Sequence, residues 1–112
     1  MSKKHHIISV ITTVLGYRVI VDNDSFIHAQ KHFLLPQDIF LELLERILKD
    51  PTIVYLEELK DVKFYHHFYR LESKRYLLVV VKITSDGAYF CSMYTTGEKI
   101  KSKHMKLKKV KL

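Results

Sequence analysis

The spacing of apolar residues changes twice along the chain, dividing it into a β-rich start, a helical middle and a long β-rich remainder. Ile7–Val14 and Tyr17–Val21 are rich in β-branched residues and flank Leu15-Gly16. Glycine supplies the backbone angles a tight reversal needs, so this stretch predicts a short hairpin. Asp22-Asn23-Asp24-Ser25 follows as a cluster of turn formers and helix N-caps. A first helix is expected over about Phe26–Phe33. Phe26, Ala29 and Phe33 form one stripe at helical spacing, and His28, Lys31 and His32 lie together beside it.

Pro36 suits the first position of a second helix, where its missing N–H has no partner to lose. Phe40, Leu43, Leu44, Ile47 and Leu48 keep helical spacing, with Asp38, Glu42, Glu45 and Arg46 mostly on the other side, and Pro51 ends the run. From Thr52 the period becomes 2. Strands are expected at Ile53–Leu56, Val62–Arg70, Arg75–Ile83 and Ala88–Thr95, with Ser85-Asp86-Gly87 a strong turn between the last two. Leu77–Val81 is apolar on both faces, which predicts a central, covered strand. Helices first and antiparallel strands after define an α+β fold rather than a parallel βαβ array.

Composition adds bounds. The 112 residues fit one domain, and 47% apolar content with three Gly and two Pro predicts that most of the chain folds. The lone Cys91 excludes an internal disulfide and a cysteine zinc site; it fits a reducing compartment, hence a cytoplasmic protein, and its mid-strand position predicts a buried, inert thiol. The longest apolar run, Tyr76–Val81, is far shorter than the roughly 20 residues of a membrane span. Lys3 and Lys4 ahead of Ile7–Val14 superficially match a secretion signal, but the β-branched content and the second apolar run favour a strand.

The net charge of +7 is unevenly spread. Residues 98–112 hold seven lysines and one acid, leaving +1 for the rest. The chain therefore divides into a nearly neutral α+β domain, 1–97, and a basic C-terminal segment, 98–112, that is either a last strand or a tail. Such a segment favours a polyanion through counterion release, or else serves solubility.

His28 and His32, four apart on the expected helix, suit one general acid/base and a phosphate-binding neighbour with Lys31 helping, or simply two polar histidines on a surface helix. Their spacing also permits a metal pair, but no His-Glu-x-x-His pattern or third ligand accompanies it. His66 and His67 point to opposite faces of one strand. Val62, Phe64, His66, Phe68 and Arg70 share one face; Lys63, Tyr65, His67 and Tyr69 share the other, whose rings and cations could stack bases and hold phosphates. Tyrosines are equally at home on half-exposed strands for packing alone. Lys82, Tyr94 and Thr95 end adjacent strands and could converge at one end of the sheet, where a cation would stabilise a phosphorane.

The order of these motifs resembles small proteins of the barnase–EndoU–colicin–RelE nuclease superfamily. The matching segments are Leu15–Val21, Phe26-Ile27-His28-Ala29, Leu48–Ile53, Arg75–Lys82 and Ala88-Tyr89-Phe90 through Tyr94-Thr95, which together cover roughly residues 15–97. The resemblance implies an N-terminal hairpin and two helices packed on a twisted antiparallel four-stranded sheet, with RNA on the other face. It implies a toxin-like endoribonuclease that needs no metal or cofactor and uses the ribose 2′-OH as nucleophile. An antitoxin or immunity protein would be its partner. The helix histidine of the pattern maps onto His28, with His32 near a second. His66 or His67 takes the basic strand position, and Tyr94 and Thr95 match the last strand. On this reading His28 and His32 are acid and base, and Lys82 and His67 supply positive charge. Lys31, Tyr65, Tyr69, Lys99, Lys101 and Lys103 would contact RNA. The same scaffold also hosts non-catalytic RNA- or protein-binding modules.

Overall fold

Seven strands hydrogen-bond into one mixed sheet in the order β1-β2-β6-β5-β4-β3-β7 in the computed structural model, which describes residues 6–98, 103–104 and 106–112. The strands are β1 (Ile7–Thr12), β2 (Arg18–Asp22), β3 (Ile53–Leu59), β4 (Val62–Glu72), β5 (Arg75–Thr84), β6 (Gly87–Gly97) and β7 (Lys108–Lys109). The helices are α1 (Asn23–Gln30) and α2 (Gln37–Lys49). This corrects the expected architecture of a hairpin and two helices packed on a four-stranded antiparallel sheet. The hairpin does not pack on the sheet; it extends it. β2 runs parallel to β6, pairing Val19 with Ala88 and Ile20 with Tyr89, and every other pairing is antiparallel.

Local chemistry accounts for the elements. Gly16 takes φ +89° in the β1–β2 turn and Gly87 takes φ +146° at the start of β6, conformations that a side chain resists. Asp22 caps α1 by accepting from the Ser25 N–H at 2.7 Å. That cap starts the helix earlier than its apolar stripe suggested, and the helix ends at Gln30. His32 consequently falls beyond α1 rather than on it. Pro36 is the N-cap of α2, whose Phe40, Leu44, Ile47 and Leu48 are buried.

Both helices lie on one face of the sheet. Phe26, Ala29, Phe40, Leu44, Ile47 and Leu48 pack against Val19, Val21, Val54, Tyr65, Leu77, Val79, Val81, Phe90 and Met93. The opposite face has its own, smaller cluster of Tyr55, Phe68, Tyr76, Leu78 and Val80, with Leu107 of the C-terminal segment packed against it. Tyr76 through Val81 are all buried, as expected for a central strand, and β5 is indeed the middle strand of seven. The basic segment reaches the sheet, where Lys108 and Lys109 pair with Leu56 and Tyr55. No helix of the described residues is long and apolar enough to cross a membrane. One small correction concerns Cys91. A bulge between the Val80–Ser92 and Val81–Phe90 pairs leaves this residue unpaired and exposed, not buried.

Candidate functional site

The sheet separates the residues that the sequence brought forward as one catalytic set. α1 lies on the helix-covered face, with His28 exposed in its last turn and His32 exposed just past it; their rings are 6.4 Å apart. Lys82 pairs with Phe64 and Tyr94 with Leu78, which places both on the opposite face. Thr95 pairs with Leu77 and turns back toward the helix side. The two histidines therefore do not meet Lys82 or Tyr94.

His67, Tyr65 and Tyr69 also differ from expectation. Their strand face is the one the helices cover, so they form packing rather than a stacking platform. His67 is 1% exposed, and burial lowers its pKa to about 4. It is neutral near pH 7 and supplies no positive charge. Its Nδ1–H donates to the carbonyls of Tyr65 and Val79 at 3.2 and 3.3 Å, leaving Nε2 buried without a partner among the described residues. Tyr65 packs against Tyr17 at a tilt, with ring centroids 5.3 Å apart and hydroxyls 3.2 Å apart; burial, then that hydrogen bond, pushes its pKa to about 12. Lys31 and Lys103 are exposed, whereas Lys99 and Lys101 lie outside the described residues.

The sheet face away from the helices carries a different constellation, centred on His66, which is buried at 9% exposure. Glu57 Oε1 lies 3.0 Å from His66 Nε2, and His66 Nδ1 lies 3.2 Å from Nε2 of His104. A carboxylate only accepts, so His66 donates through Nε2, leaving Nδ1 to accept from His104. Burial lowers the His66 pKa, Glu57 opposes that, and the neighbouring His104 adds to it. His104 also stands edge-on to Phe68, with centroids 5.1 Å apart. Further along, Arg70 sits over the Tyr76 ring at 5.7 Å and donates to its hydroxyl, which in turn donates to Glu98 at 2.5 Å.

Beyond this covered half, one cross-strand row stays open. Glu57, Phe64, Lys82, Tyr89, Ile20 and Val10 are successive register partners across six strands. Lys82 thus stands exposed between two rings, at cross-strand spacings of about 5 Å. A groove of about 500 Å³ opens beside it, lined by Lys82, Tyr89, Ile7, Ile20, Asp22 and Asp86 among others. Tyr94 lies on the same face, and burial raises its pKa. The arrangement offers a cation, flat rings and hydrogen-bonding groups on a broad surface. No group of three His, Cys, Asp or Glu able to hold a metal is found among the described residues.

Sequence reasoning missed Glu57 and His104. Glu57 lay past the expected end of its strand, and His104 lay in a segment read mainly for its lysines. The available signal was alternation: Glu57, Tyr55 and Ile53 share one strand face, and the apolar Leu107 and Val110 mark the C-terminal segment as packed. In comparisons with known proteins, no family model matches the chain, and no curated protein or solved structure is detectably similar to it, so nothing there bears on the nuclease-superfamily resemblance.

Proposed function

We propose that the protein binds single-stranded RNA along the open row of the sheet face away from the helices. The observation that carries this reading is the Phe64–Lys82–Tyr89 row, a cation between two rings on a surface open to solvent. Stacking on rings is tolerant of sequence and is worth about 1–3 kcal/mol per base, while a lysine offers charge to the phosphate backbone. Lys103, Lys106, Lys108, Lys109 and Lys111 are exposed along the C-terminal segment and extend the positive field at one sheet edge.

Fluorescence anisotropy with a short labelled RNA, across a salt series, tests it. Affinity falls as salt rises, and Lys82→Ala and Tyr89→Ala each weaken binding about ten-fold, equivalent to ~1.4 kcal/mol. Lys63→Ala, on the helix-covered side of β4, leaves binding unchanged. Absence of binding at low salt, or equal binding by all variants, removes the proposal.

A second reading, metal-independent cleavage through the ribose 2′-OH, draws support from the Glu57–His66–His104 contacts. Lys82 is the diagonal neighbour of His66 on the adjacent strand, about 7–8 Å away. A cation for the phosphorane and an imidazole oriented by a carboxylate thus share one face. Incubation with mixed RNA in EDTA separates the readings. On this second reading, His66→Ala abolishes cleavage and His28→Ala/His32→Ala retains it. Intact RNA after incubation with the wild type leaves binding alone.

A further inference from the structure

The two edges of the sheet are built differently. β7 is two residues long and both are lysines, the kind of short, charged edge that resists further pairing. β1 runs six residues, Ile-Ile-Ser-Val-Ile-Thr, with no charge and no proline. Among the described residues no strand pairs with its outer side.

The direction of its free backbone groups follows from the register. Thr13 N–H donates to Tyr17 O at 2.8 Å, which marks 13 and 17 as a hydrogen-bonded pair. Antiparallel pairs alternate, so Ile11–Val19 also exchanges hydrogen bonds, while Val10–Ile20 and Thr12–Arg18 do not. The N–H and C=O groups of Val10 and Thr12 therefore point away from the sheet. They form a template for one more strand.

Side chains on either side of this edge say what that strand must carry. On the face away from the helices, Ile7 is 52% and Val10 45% exposed. On the helix side a groove between β1 and α2 is lined by Ser9, Ile11, Leu41 and three carboxylates, Asp38, Glu42 and Glu45, with no cation among its lining residues. Glu45 is held by Lys49 at 3.2 Å, and Asp38 accepts from the Ile39 N–H at 2.9 Å. An added strand presents alternate residues to these two sides.

We propose that the outer edge of β1 is a strand-addition site for an extended peptide alternating apolar with basic residues. The apolar positions lie against Ile7 and Val10, and the basic ones reach the acidic wall of α2. A second copy pairing through its own β1 fits less well, because a two-fold axis there brings two acidic α2 flanks together and offers Ser9 and Ile11 where a cation is wanted.

The test uses the whole chain with three synthetic peptides: one alternating lysine and valine, one alternating glutamate and valine, and a lysine–valine peptide interrupted by proline. Amide hydrogen exchange by NMR is the readout. The lysine–valine peptide slows exchange at Val10 and Thr12 about ten-fold or more, while the other two do not. Val10→Lys, on an exposed side chain, and Asp38→Asn/Glu42→Gln each weaken binding of this peptide about ten-fold. Exchange at Val10 and Thr12 unchanged by the lysine–valine peptide overturns the proposal, even if either variant misfolds. Equal protection by the glutamate–valine peptide also overturns it. Protection of the same amides without peptide, rising with protein concentration, assigns the edge to a second copy and overturns it as well.

Discussion

Acidification should unfold this protein partly through one imidazole. His67 is enclosed under the helices, and its only hydrogen-bonded nitrogen donates to backbone carbonyls. A proton added to the ring must go to Nε2, which has no acceptor among the described residues. The unfolded chain meets no such obstacle and protonates near 6.5, whereas the folded chain holds out to about 4. Between these values the unfolded state binds more protons, so this residue's contribution to stability is full above pH 6.5 and is lost as pH drops toward 4. The gap of about 2.5 pH units corresponds to about 3 kcal/mol, a large share of the 5–15 kcal/mol typical of a domain. Urea unfolding at a series of pH values, for the wild type and for His67→Leu, isolates this contribution. Leucine fills similar volume and cannot titrate; losing the Nδ1–H bond costs about 1 kcal/mol at pH 7, partly offset by removing the unpaired nitrogen. The difference between the two proteins should then shift by about 3 kcal/mol in favour of His67→Leu as pH falls from 7 to 4. A constant difference across that range refutes the reasoning.

Two further substitutions address other parts of the fold. Asp61 holds φ +104° in the β3–β4 turn, so Asp61→Gly should raise stability by about 1 kcal/mol in urea or thermal unfolding. His104→Ala removes a ring from Phe68 and a hydrogen bond to His66, and should cost about 1–2 kcal/mol. It should also raise the His66 pKa, since His104 is one cause of its depression; NMR titration of the His66 ring reads this directly.

Much of the local structure was legible in the sequence. The hairpin, α2 and the β3–β6 strands follow from spacing, turn residues and proline positions, because each depends on neighbours within a few residues. The helix carrying His28 was found but placed too late, since the Asp22 side chain, not the apolar stripe, sets its start. The parallel β2–β6 pairing was not legible, because nothing local to either strand specifies a partner so distant. The grouping of the candidate site residues was not legible for a related reason. Alternation separated His66 from His67 but could not say which side the helices cover. The more polar set, Lys63, Tyr65, His67 and Tyr69, looked open, yet Tyr65 and His67 are buried there. Opposite it, Phe64 and His66 lie on the side away from the helices, together with His104 from a segment read as either a last strand or a tail.

That parallel pairing also sets an order on how the chain can assemble. Val19 and Ala88 are about 70 residues apart, so β2 leaves the ribosome long before the strand that receives it. The hairpin can close early, but it waits unattached while the chain from α1 to β5 is made. Contacts this remote are slow to form, since loop-closure entropy must be overcome before they contribute. Docking of the β1–β2 hairpin is therefore expected late in folding, after β5 and β6 have paired. Until then a nascent chain carries two unsatisfied edges on an apolar hairpin, which makes the N-terminal quarter the part most exposed to aggregation or to chaperone capture during synthesis.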